Sequence, residues 1–444
     1  MKCLGIDIGS SSIKGSVLDL ESGLLEQMVR KPFPEPVTGL PAGHFEIDPR
    51  SVVTAVRGVL EELVHREPTA TDIFFSGQMG GVLLVEQNGT PVTNYLSWRD
   101  QRTIAHQPRG QSYLHEIRER LTEEDLIEIG LELKPGAATT LLFWLAANGQ
   151  LPAGTCPLSL GDFVVSQLCG TTPCTEPTQA LGTLNVKGGD WHFRSFERLG
   201  FGELIWPRLQ SYDLPCGTVR IGTSELACHP VVGDHQCSLL GIGLRETELS
   251  INISTGSQVS RLTREWTPGS YQTRPYFGGL FLNTLTHLPA GRSLVVLVDL
   301  LTELSRREGG SISDPWRYIA EAVAETPASE LQVDLAFFAG PLGNGQGSIQ
   351  NITTENLTVG SLFRAAFQNM AANYRTCADR LGACGAWSQL VMSGGLSQKM
   401  PVLRQLILEQ FDNPHRECPE GEDALLGLLE LARRTLCADC PPIR

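Results

Sequence analysis

The alternation of apolar and polar residues along the chain predicts strands and helices that follow one another in turn. Residues 3 to 8 form an apolar run, the small residues 9 to 12 make a turn, and residues 13 to 20 resume a strand pattern. Asp48, followed by proline, begins a segment whose valines and leucines recur at helical spacing. Residues 73 to 77 return to a strand. This alternation is typical of an α/β fold.

The second half of the chain continues the same alternation. Residues 358 to 381 have the apolar spacing of a long helix, and residues 390 to 393 form a short strand that ends in two glycines. Two more helices are predicted, over residues 402 to 411 and over residues 423 to 436. The last of these is apolar nearly all round, which is typical of a buried helix.

One strand and turn occur twice. Residues 4 to 11 are echoed by residues 249 to 256, about half the chain length later, and both are apolar strands that run into a turn of glycine and hydroxyl residues. The echo predicts two related domains, each presenting one such hairpin to a shared cleft. A chance recurrence of a common strand and turn is the alternative.

Length and charge then restrict the class of protein. The chain has 444 residues and a formal net charge of −14, which counts against a broad binder of nucleic acid or of anionic membranes. Its beginning does not have the form of a signal peptide, and no uninterrupted apolar stretch is long enough to span a bilayer. We therefore expect a cytoplasmic protein with neither nucleic-acid nor membrane partners.

The repeated turns have the composition of phosphate-binding loops. In the first turn, Gly9, Ser10 and Ser11 offer backbone N–H and hydroxyl donors, and Lys14 adds a positive charge. The pattern is not that of a P-loop, which opens a helix. The second turn offers similar donors, from a serine, a threonine, a glycine and a further serine: Ser254, Thr255, Gly256 and Ser257. Each could be an ordinary turn, but a matched pair suits a nucleotide triphosphate.

Two aspartates follow strands in positions suited to chemistry. Asp234 comes after a short apolar strand and a glycine, directly before a predicted helix. It can cap that helix, or it can stay ionised and accept a proton from a hydroxyl group in phosphoryl transfer. Asp7 ends the first strand beside the first turn and is a candidate Mg²⁺ ligand, with Asp234 as the second carboxylate at the metal.

Two further segments could hold a polyhydroxylated ligand. Gln78 and Met79 follow one strand, and Trp98, Arg99 and Asp100 follow the next. An apolar plate with amide, guanidinium and carboxylate groups is what a sugar requires. The alternative is a tryptophan packed on the surface beside a local Arg–Asp pair.

Six short segments, in this order along the chain, together match one group of enzymes. They are Gly5-Ile6-Asp7-Ile8-Gly9, Gly77-Gln78-Met79, Trp98-Arg99-Asp100-Gln101-Arg102, Gly233-Asp234-His235-Gln236, Ile253-Ser254-Thr255-Gly256 and Ser393-Gly394-Gly395. In order and separation the chain resembles the FGGY family of carbohydrate kinases, within the actin, hexokinase and heat-shock ATPase superfamily. The resemblance covers nearly the whole chain.

The resemblance implies an α/β fold of two ribonuclease-H-like (actin/hexokinase-type) domains around a central cleft that binds MgATP and a sugar. Residues 1–246 would form the N-terminal domain, with the sugar site and the catalytic Asp234, and residues 247–444 the nucleotide-binding domain. The family's adenosine-side glycines correspond to Gly394 and Gly395. The expected ligands are ATP, Mg²⁺ and a small sugar, and the expected assembly is a monomer or a homodimer.

Within the family, residues 347–352 and 356–360 are similar to the sedoheptulokinase group. The expected acceptor is therefore a primary hydroxyl of a ketose, a heptulose first and a pentulose second. Gly80 stands where the family commonly has histidine, which changes the partners offered to a substrate hydroxyl. Together with a second departure at residues 339–343, it leaves open a degenerate member that binds nucleotide or sugar as a sensor without transfer.

Overall fold

The computed structural model describes residues 1–107, 110–383, 385–418 and 421–437. These divide into two compact units. The first unit holds residues 1–243, 273–281 and the described residues from 421 onward, and the second holds the rest. The first crossing, at 243/244, lies three residues from the predicted boundary at 246/247. The chain then returns to the first unit twice, at residues 273–281 and from residue 421 onward. The sequence predicts two continuous segments and does not predict these two returns.

The strands of the described residues are mostly short, and the longest ones build two sheets. They are β1 (Lys2–Ile8), β2 (Ser12–Asp19), β3 (Leu24–Pro32), β4 (Glu46–Ile47), β5 (Asp72–Gly77), β6 (Leu83–Val85), β7 (Tyr95–Leu96), β8 (Cys156–Leu158), β9 (Cys174–Thr175), β10 (Leu184–Asn185), β11 (Asp190–Trp191), β12 (Arg208–Leu209), β13 (Gly217–Ile221), β14 (Ser224–Gly233), β15 (Glu248–Ile253), β16 (Ser257–Thr263), β17 (Gln272–Pro275), β18 (Phe281–Leu288), β19 (Gln332–Asp334), β20 (Ala339–Gly340), β21 (Gly343–Asn344), β22 (Ser348–Gln350), β23 (Gln389–Ser393) and β24 (His415–Glu417).

The helices alternate with these strands, as the pattern predicts for an α/β chain. They are α1 (Pro49–Arg66), α2 (Tyr113–Arg120), α3 (Glu123–Glu128), α4 (Ala138–Ala147), α5 (Leu160–Cys169), α6 (Phe193–Leu199), α7 (Asp234–Gly241), α8 (Gly291–Arg307), α9 (Pro315–Glu325), α10 (Val359–Leu381), α11 (Gly395–Lys399), α12 (Pro401–Leu408) and α13 (Asp423–Leu436). Among the residues that the structure describes, no helix is both long and apolar enough to cross a membrane.

Capping residues fix the helix starts that the sequence predicts. The Asp48 side chain accepts from the backbone N–H of Arg50, and proline takes the first position of α1. Thr358 caps α10 in the same way, through the backbone N–H of Ser361. The predicted and observed bounds of α10 therefore differ by only the capping residue, because threonine at this place satisfies a backbone donor that the helix leaves open.

In the first unit, a six-stranded sheet has the order β13-β14-β5-β1-β2-β3. β1 pairs antiparallel with β2 and parallel with β5, and β5 pairs parallel with β14. Leu4, Ile6 and Ile8 are fully buried in one core with residues of α1 and α5. Side chains alternate across a strand, so Asp7 projects from the other face, where α7 and α13 pack.

The second unit repeats this arrangement. β15 pairs antiparallel with β16 and parallel with β23, and β23 pairs parallel with β24. The order β18-β16-β15-β23-β24 therefore corresponds to β3-β2-β1-β5-β14 of the first unit. The predicted echo between residues 4–11 and 249–256 is thus a duplication of topology. Both copies are α/β, and both place a tight hairpin at the carboxyl end of the central strand.

Candidate active site

Three neighbouring strands of the first unit end at the same level and gather the predicted site residues. In the register of the sheet, Asp7 lies opposite Ser76 of β5, and Ser76 lies opposite Val232 of β14. The Ser76 hydroxyl donates to Asp7 Oδ1 at 2.9 Å. Since all three strands are parallel, the residues that follow them emerge at one edge of the sheet. This edge brings Asp7, Gln78 and Asp234 together.

Asp234 is the first residue of α7, directly after β14. Gly233, not Asp234, occupies the N-cap position, and no side chain caps the helix. The capping role that the sequence left open for Asp234 is therefore not what the structure shows. Its side chain is half-buried. Burial, and after it the negative charge of Asp7, raise the pKa of Asp234 to about 7.

Asp7 is the second carboxylate at this edge of the sheet. Burial raises its pKa to about 6, against the hydrogen bond from Ser76 and the attraction of Lys14, which both lower it. The negative charge of Asp7 in turn hinders the ionisation of Asp234. Two carboxyl groups with raised pKa values, held at neighbouring strand ends, are typical of functional sites.

The first predicted phosphate hairpin closes between Ile8 and Ile13, which are paired across β1 and β2. Its turn residues Gly9 and Ser10 are half-buried and Ser11 is exposed. Lys14 does not point freely outward, because its ammonium group forms an ion pair with the Glu422 carboxylate. Any anion at this turn would compete with Glu422 for that charge.

The residues predicted to hold a sugar divide into two groups. Gln78 and Trp98 lie together, with Trp98 Nε1 donating to Gln78 Oε1 at 3.0 Å. Gln78 Nε2 is buried and has no hydrogen-bond partner among the described residues, so a donor is left for a ligand. Met79 packs against Gly233, where an added Cβ would lie 2.5 Å from its sulfur. These three side chains therefore adjoin the strand end that carries Asp234.

Asp100 and Arg99 have other partners. The Asp100 carboxylate is fully buried, pairs with the Arg102 guanidinium at 2.8 Å and accepts from the Phe45 backbone N–H at 2.7 Å. Arg99 is exposed and stacks over the Phe45 ring at 4.3 Å. The local Arg–Asp pair that the sequence offered as an alternative is present, but its arginine is Arg102. A sugar contact of Arg99 or Asp100 stays a prediction.

A buried ionic cluster beside Asp234 has no signal in the sequence. Arg274 donates to Glu132 Oε1 at 2.6 Å and lies 2.8 Å from His235 Nδ1, and all three side chains are buried. Its charge lowers the pKa of Asp234, against the effect of burial. Arg274 belongs to the first return of the chain into this unit. Partners so far apart in sequence can be recognised only in the fold.

The second unit presents the second predicted hairpin and the predicted glycines. Ser254, Thr255 and Gly256 are exposed at a turn that the pairing of Ile253 with Ser257 closes. The Ser254 backbone N–H and hydroxyl both donate to the Gly256 carbonyl, so the donors left for a ligand are those of Thr255 and Gly256. Ser257 itself is buried, and its hydroxyl is 2.7 Å from that of Tyr374. Its side chain therefore anchors the hairpin rather than lining it.

The glycines after β23 lie beside the strand that carries this hairpin. Gly394 has φ of +91°, and a Cβ there would lie 2.3 Å from the Ile253 carbonyl oxygen. Only glycine permits this approach of the two backbones. Gly395 begins α11. The hairpin and both glycines thus belong to one edge of the second sheet.

Comparison with known families decides the class of protein. The model described as the FGGY family of carbohydrate kinases, N-terminal domain, matches residues 2–241. The chain belongs to this family. FGGY kinases are sugar phosphotransferases, so the chain is placed in that class of enzymes, as the sequence motifs predict.

Individual FGGY kinases are similar over different shares of the chain. A sedoheptulokinase from Mus musculus is 22% identical over 465 residues, which cover 93% of each protein. A xylulose kinase from Staphylococcus xylosus is 26% identical over 289 residues, but this match covers 57% of this chain and 55% of that protein. A xylulose kinase structure from Rhodospirillum rubrum superposes with a TM-score of 0.85 at 19% identity, covering 99% and 91% of the two chains. This last likeness confirms the fold.

Gly80, the residue predicted to stand in place of a family histidine, has a backbone conformation that favours glycine. It has φ of +78°, and an added Cβ would lie 3.2 Å from the Trp98 Cβ. We expect Gly80→Ala to lower the free energy of unfolding by about 1 kcal/mol and to raise the KM for sugar, because Trp98 must shift. Steady-state kinetics and urea unfolding measure both effects.

Gly149→Ala is the matched control for this substitution. Gly149 also has positive φ, of +65°, but a Cβ there meets nothing within 4 Å. It should therefore lose similar stability with an unchanged KM. An unchanged KM in both variants would show that the Trp98 position does not affect the sugar site.

Proposed function

We propose that this FGGY kinase transfers the γ-phosphoryl group of ATP to a primary hydroxyl of a ketose, with sedoheptulose or a similar heptulose as the acceptor. The observation that carries the proposal is the position of Asp234. It follows a central strand, it is half-buried, and it lies within electrostatic reach of a second carboxylate, Asp7. A carboxylate held this way can accept the proton that the attacking hydroxyl loses.

The other residues of this edge position the acceptor. Gln78 Nε2 supplies a buried donor for a sugar hydroxyl, and Trp98 holds the Gln78 amide by its indole N–H. Met79 fills the space next to Gly233 and so limits how a ligand approaches Asp234. In phosphoryl transfer, orienting the nucleophile supplies much of the rate enhancement, because the transition state is loose. Arg99 and Asp100 would complete the sugar site from the loop after β7.

The two hairpins would bind the phosphate groups of ATP. Turn residues Gly9 to Ser11 and the exposed Thr255 and Gly256 present backbone donors suited to phosphate oxygens, and the serines of the first turn and Thr255 add hydroxyl donors. Ser257, whose hydroxyl bonds Tyr374, would contribute through its backbone. Gly394 and Gly395 would adjoin the adenosine, as the family resemblance implies.

Asp7 and Asp234 fit a divalent cation. Carboxylate oxygens are the ligands that Mg²⁺ takes in proteins, and the repulsion that raises the pKa of Asp234 is what a cation near both groups would relieve. When bound, Mg²⁺ would neutralise charge on the transferred phosphoryl group. Without it, burial and, after it, the charge of Asp7 keep Asp234 partly protonated near neutral pH.

The raised pKa of Asp234 predicts a pH profile. A proton acceptor must be ionised, so we expect kcat/KM for the sugar to rise about tenfold per pH unit on the acidic side. It should level off at or below pH about 7, because Mg²⁺ near both carboxylates would lower the pKa of Asp234. The measurement is sugar-dependent ADP release from about pH 5 to about pH 9 in a constant ionic-strength buffer. A profile that is flat over this range would contradict a proton-accepting role.

The heptulose is favoured because the match to sedoheptulokinase spans 93% of both proteins, whereas the match to xylulose kinase spans little more than half. The test is a panel of heptuloses, pentuloses and polyols, each assayed with MgATP for ADP release. We expect the highest kcat/KM with sedoheptulose. A pentulose that exceeds it would assign the enzyme to the pentulose kinases instead.

The panel also tests the alternative of a sensor without transfer. A sensor would bind ATP or sugar, seen as a rise of the melting temperature, with no turnover on any member of the panel. The paired carboxylates at the strand ends favour transfer, because a pure binder has no use for an aspartate whose ionisation the fold disfavours. We propose in addition a cytoplasmic location and a monomer or homodimer, which gel filtration with light scattering would distinguish.

A further inference from the structure

Four cysteines of the first unit lie together away from the candidate active site. Cys169 ends α5, Cys174 begins β9, Cys216 precedes β13 and Cys228 lies within β14. All four are free thiols. Their spacing along the chain is irregular, so the sequence gives no sign of the cluster, and the kinase function makes no use of it.

The thiols are arranged as two pairs. Cys169 packs against Gly217, the register partner of Cys228, and Cys174 and Cys216 line one small cavity. The hairpin β13–β14 fixes their spacing. The Cys216 backbone N–H donates to the Cys228 carbonyl at 2.8 Å, and the Cys216 thiol donates to the same carbonyl at 3.3 Å.

The absence of a side chain at position 217 is what lets Cys169 reach the hairpin. A Cβ at Gly217 would lie 2.7 Å from the Cys169 Cβ and 3.1 Å from its sulfur. The short turn of residues 170–173 separates Cys169 from Cys174, so the two pairs attach this turn to the hairpin at both of its ends. β14 then leads directly to Asp234.

In each pair one thiol is accessible and the other is buried. Cys169 and Cys216 are half-buried, whereas Cys228 is fully buried and Cys174 is 6% exposed. The neighbouring Cys228 thiol also lowers the pKa of Cys169. An accessible thiol of lowered pKa beside a buried partner has the form of an attacking and a resolving cysteine.

Metal binding fits this cluster less well. Within the described ranges, no group of three or more histidine, cysteine or carboxylate side chains is arranged to hold a metal ion. Zinc in a structural site takes four ligands that converge on one point. Thiols that pair two by two instead suit the formation of two separate bonds.

We propose that these cysteines form a redox site at which Cys169 joins Cys228, and Cys174 joins Cys216, as disulfides upon reaction with a small disulfide such as oxidised glutathione. The Cys169 thiolate attacks one sulfur of the oxidant, forming a mixed disulfide and releasing one glutathione thiolate. Cys228 then attacks the Cys169 sulfur and releases the second. Each pair loses two electrons and two protons, which appear as two molecules of glutathione. Cys174 and Cys216 react by the same two steps.

The pair Cys169–Cys228 should form first. Its accessible member is the one with the lowered pKa, whereas in the other pair the lowered pKa belongs to the buried Cys174. Since the thiolate is the nucleophile, exposure and thiolate character coincide only at Cys169. Once formed, the two bonds would fasten residues 170–173 to the hairpin that ends at Asp234.

The test uses the full chain, incubated in buffers of increasing ratio of oxidised to reduced glutathione, then acid-quenched, alkylated and mapped by mass spectrometry. We expect linked peptides for Cys169–Cys228 and Cys174–Cys216, in that order of appearance, with full reversal by dithiothreitol. Oxidation should raise the melting temperature by about 5 °C or more. Linked peptides that join other cysteines, or alkylation of these four at every ratio, would overturn the proposal.

Two variants keep the test decisive. Cys169→Ser and Cys216→Ser each remove a half-buried thiol, and each should abolish its own crosslink and leave the other. Cys156→Ser, in the same unit but in neither pair, should leave both crosslinks unchanged. A reduced wild type that takes up one equivalent of zinc and thereby protects all four thiols from alkylation would replace the redox site with a metal site.

Discussion

Replacing Asp234 by asparagine is expected to lower kcat for sugar-dependent ADP release by about three orders of magnitude, the middle of the range for losing a proton acceptor. The amide keeps the size and shape of the side chain at the start of α7 but cannot accept the hydroxyl proton. The measurement is a coupled ADP assay at saturating ATP and sugar. Because positioning by Gln78 and Trp98 remains, the KM for sugar should change much less than kcat.

Asp213→Asn is the matched control, because Asp213 is an exposed aspartate of the same unit. It should retain the turnover of the wild type. If Asp234→Asn retained most of its turnover while remaining folded, the proposed mechanism would be wrong. If both variants lost activity, the cause would be a general effect on the fold, which circular dichroism would reveal.

The same substitution should make the protein more stable, and only at higher pH. The fold raises the pKa of Asp234 from its usual 3.8 to about 7, so ionising this group costs free energy in the folded state. That cost is absent below pH about 4 and complete above pH about 7. Asparagine never ionises, so Asp234→Asn should gain on the order of 1–2 kcal/mol above pH 7. A gain of stability with a loss of activity is what distinguishes a functional residue from a structural one.

The sequence could predict these features because they depend on local pattern. The helix from residue 359 to 381 follows from a capping threonine and apolar spacing, and both are written within a few residues. The duplication was visible for the same reason, since a strand and a glycine-rich turn recur in residues 4–11 and 249–256. Asp234 could be singled out because a strand, a glycine and an aspartate lie in succession.

Other features could not be predicted, because they join distant parts of the chain. The sequence predicts the last helix at its observed bounds, but it does not predict that this helix belongs to the first unit. α13 packs on α7, where the Cys237 sulfur donates to the Ala424 carbonyl at 3.2 Å. Nothing near residue 424 indicates this partner. The ion pair between Lys14 and Glu422 has the same origin, because the chain re-enters the first unit at residue 421. Lys14, which the sequence predicts to bind phosphate, therefore has a partner that lies outside its own motif.

The assignment of Asp100 to the sugar site shows a different limit. A carboxylate beside a tryptophan and an arginine has the composition of a sugar site, but composition does not say which oxygens are already occupied. In the fold, the Asp100 carboxylate forms an ion pair with Arg102 and accepts a hydrogen bond from the Phe45 backbone N–H. Gln78 could be placed more securely, because it follows a central strand whose register with β1 and β14 fixes where it emerges.

The second large effect is expected for the buried cluster of Arg274, whose loss should lower the stability of the fold. Burial by itself would raise the pKa of Glu132, but the attraction of Arg274 and Lys134 outweighs it and lowers the pKa to about 2. We expect Arg274→Met to lower the free energy of unfolding by about 3 kcal/mol at pH 7, because the buried Glu132 charge then loses one of its two cationic partners and keeps only the Lys134 ion pair of the two. Urea unfolding measures the loss.

The pH dependence and a double variant separate this cause from lost packing. The pair stabilises the fold above pH about 4.5, where Glu132 is ionised in the unfolded chain, and this contribution disappears as the pH falls towards 2. The deficit of Arg274→Met should therefore shrink in acid, and Glu132→Gln should restore part of it at pH 7. Arg220→Met, which breaks the exposed pair with Glu225, should cost less than about 1 kcal/mol. If Arg274→Met lowers the free energy of unfolding equally at pH 7 and in acid, the loss is one of packing. Arg274 would then not stabilise the charge of Glu132.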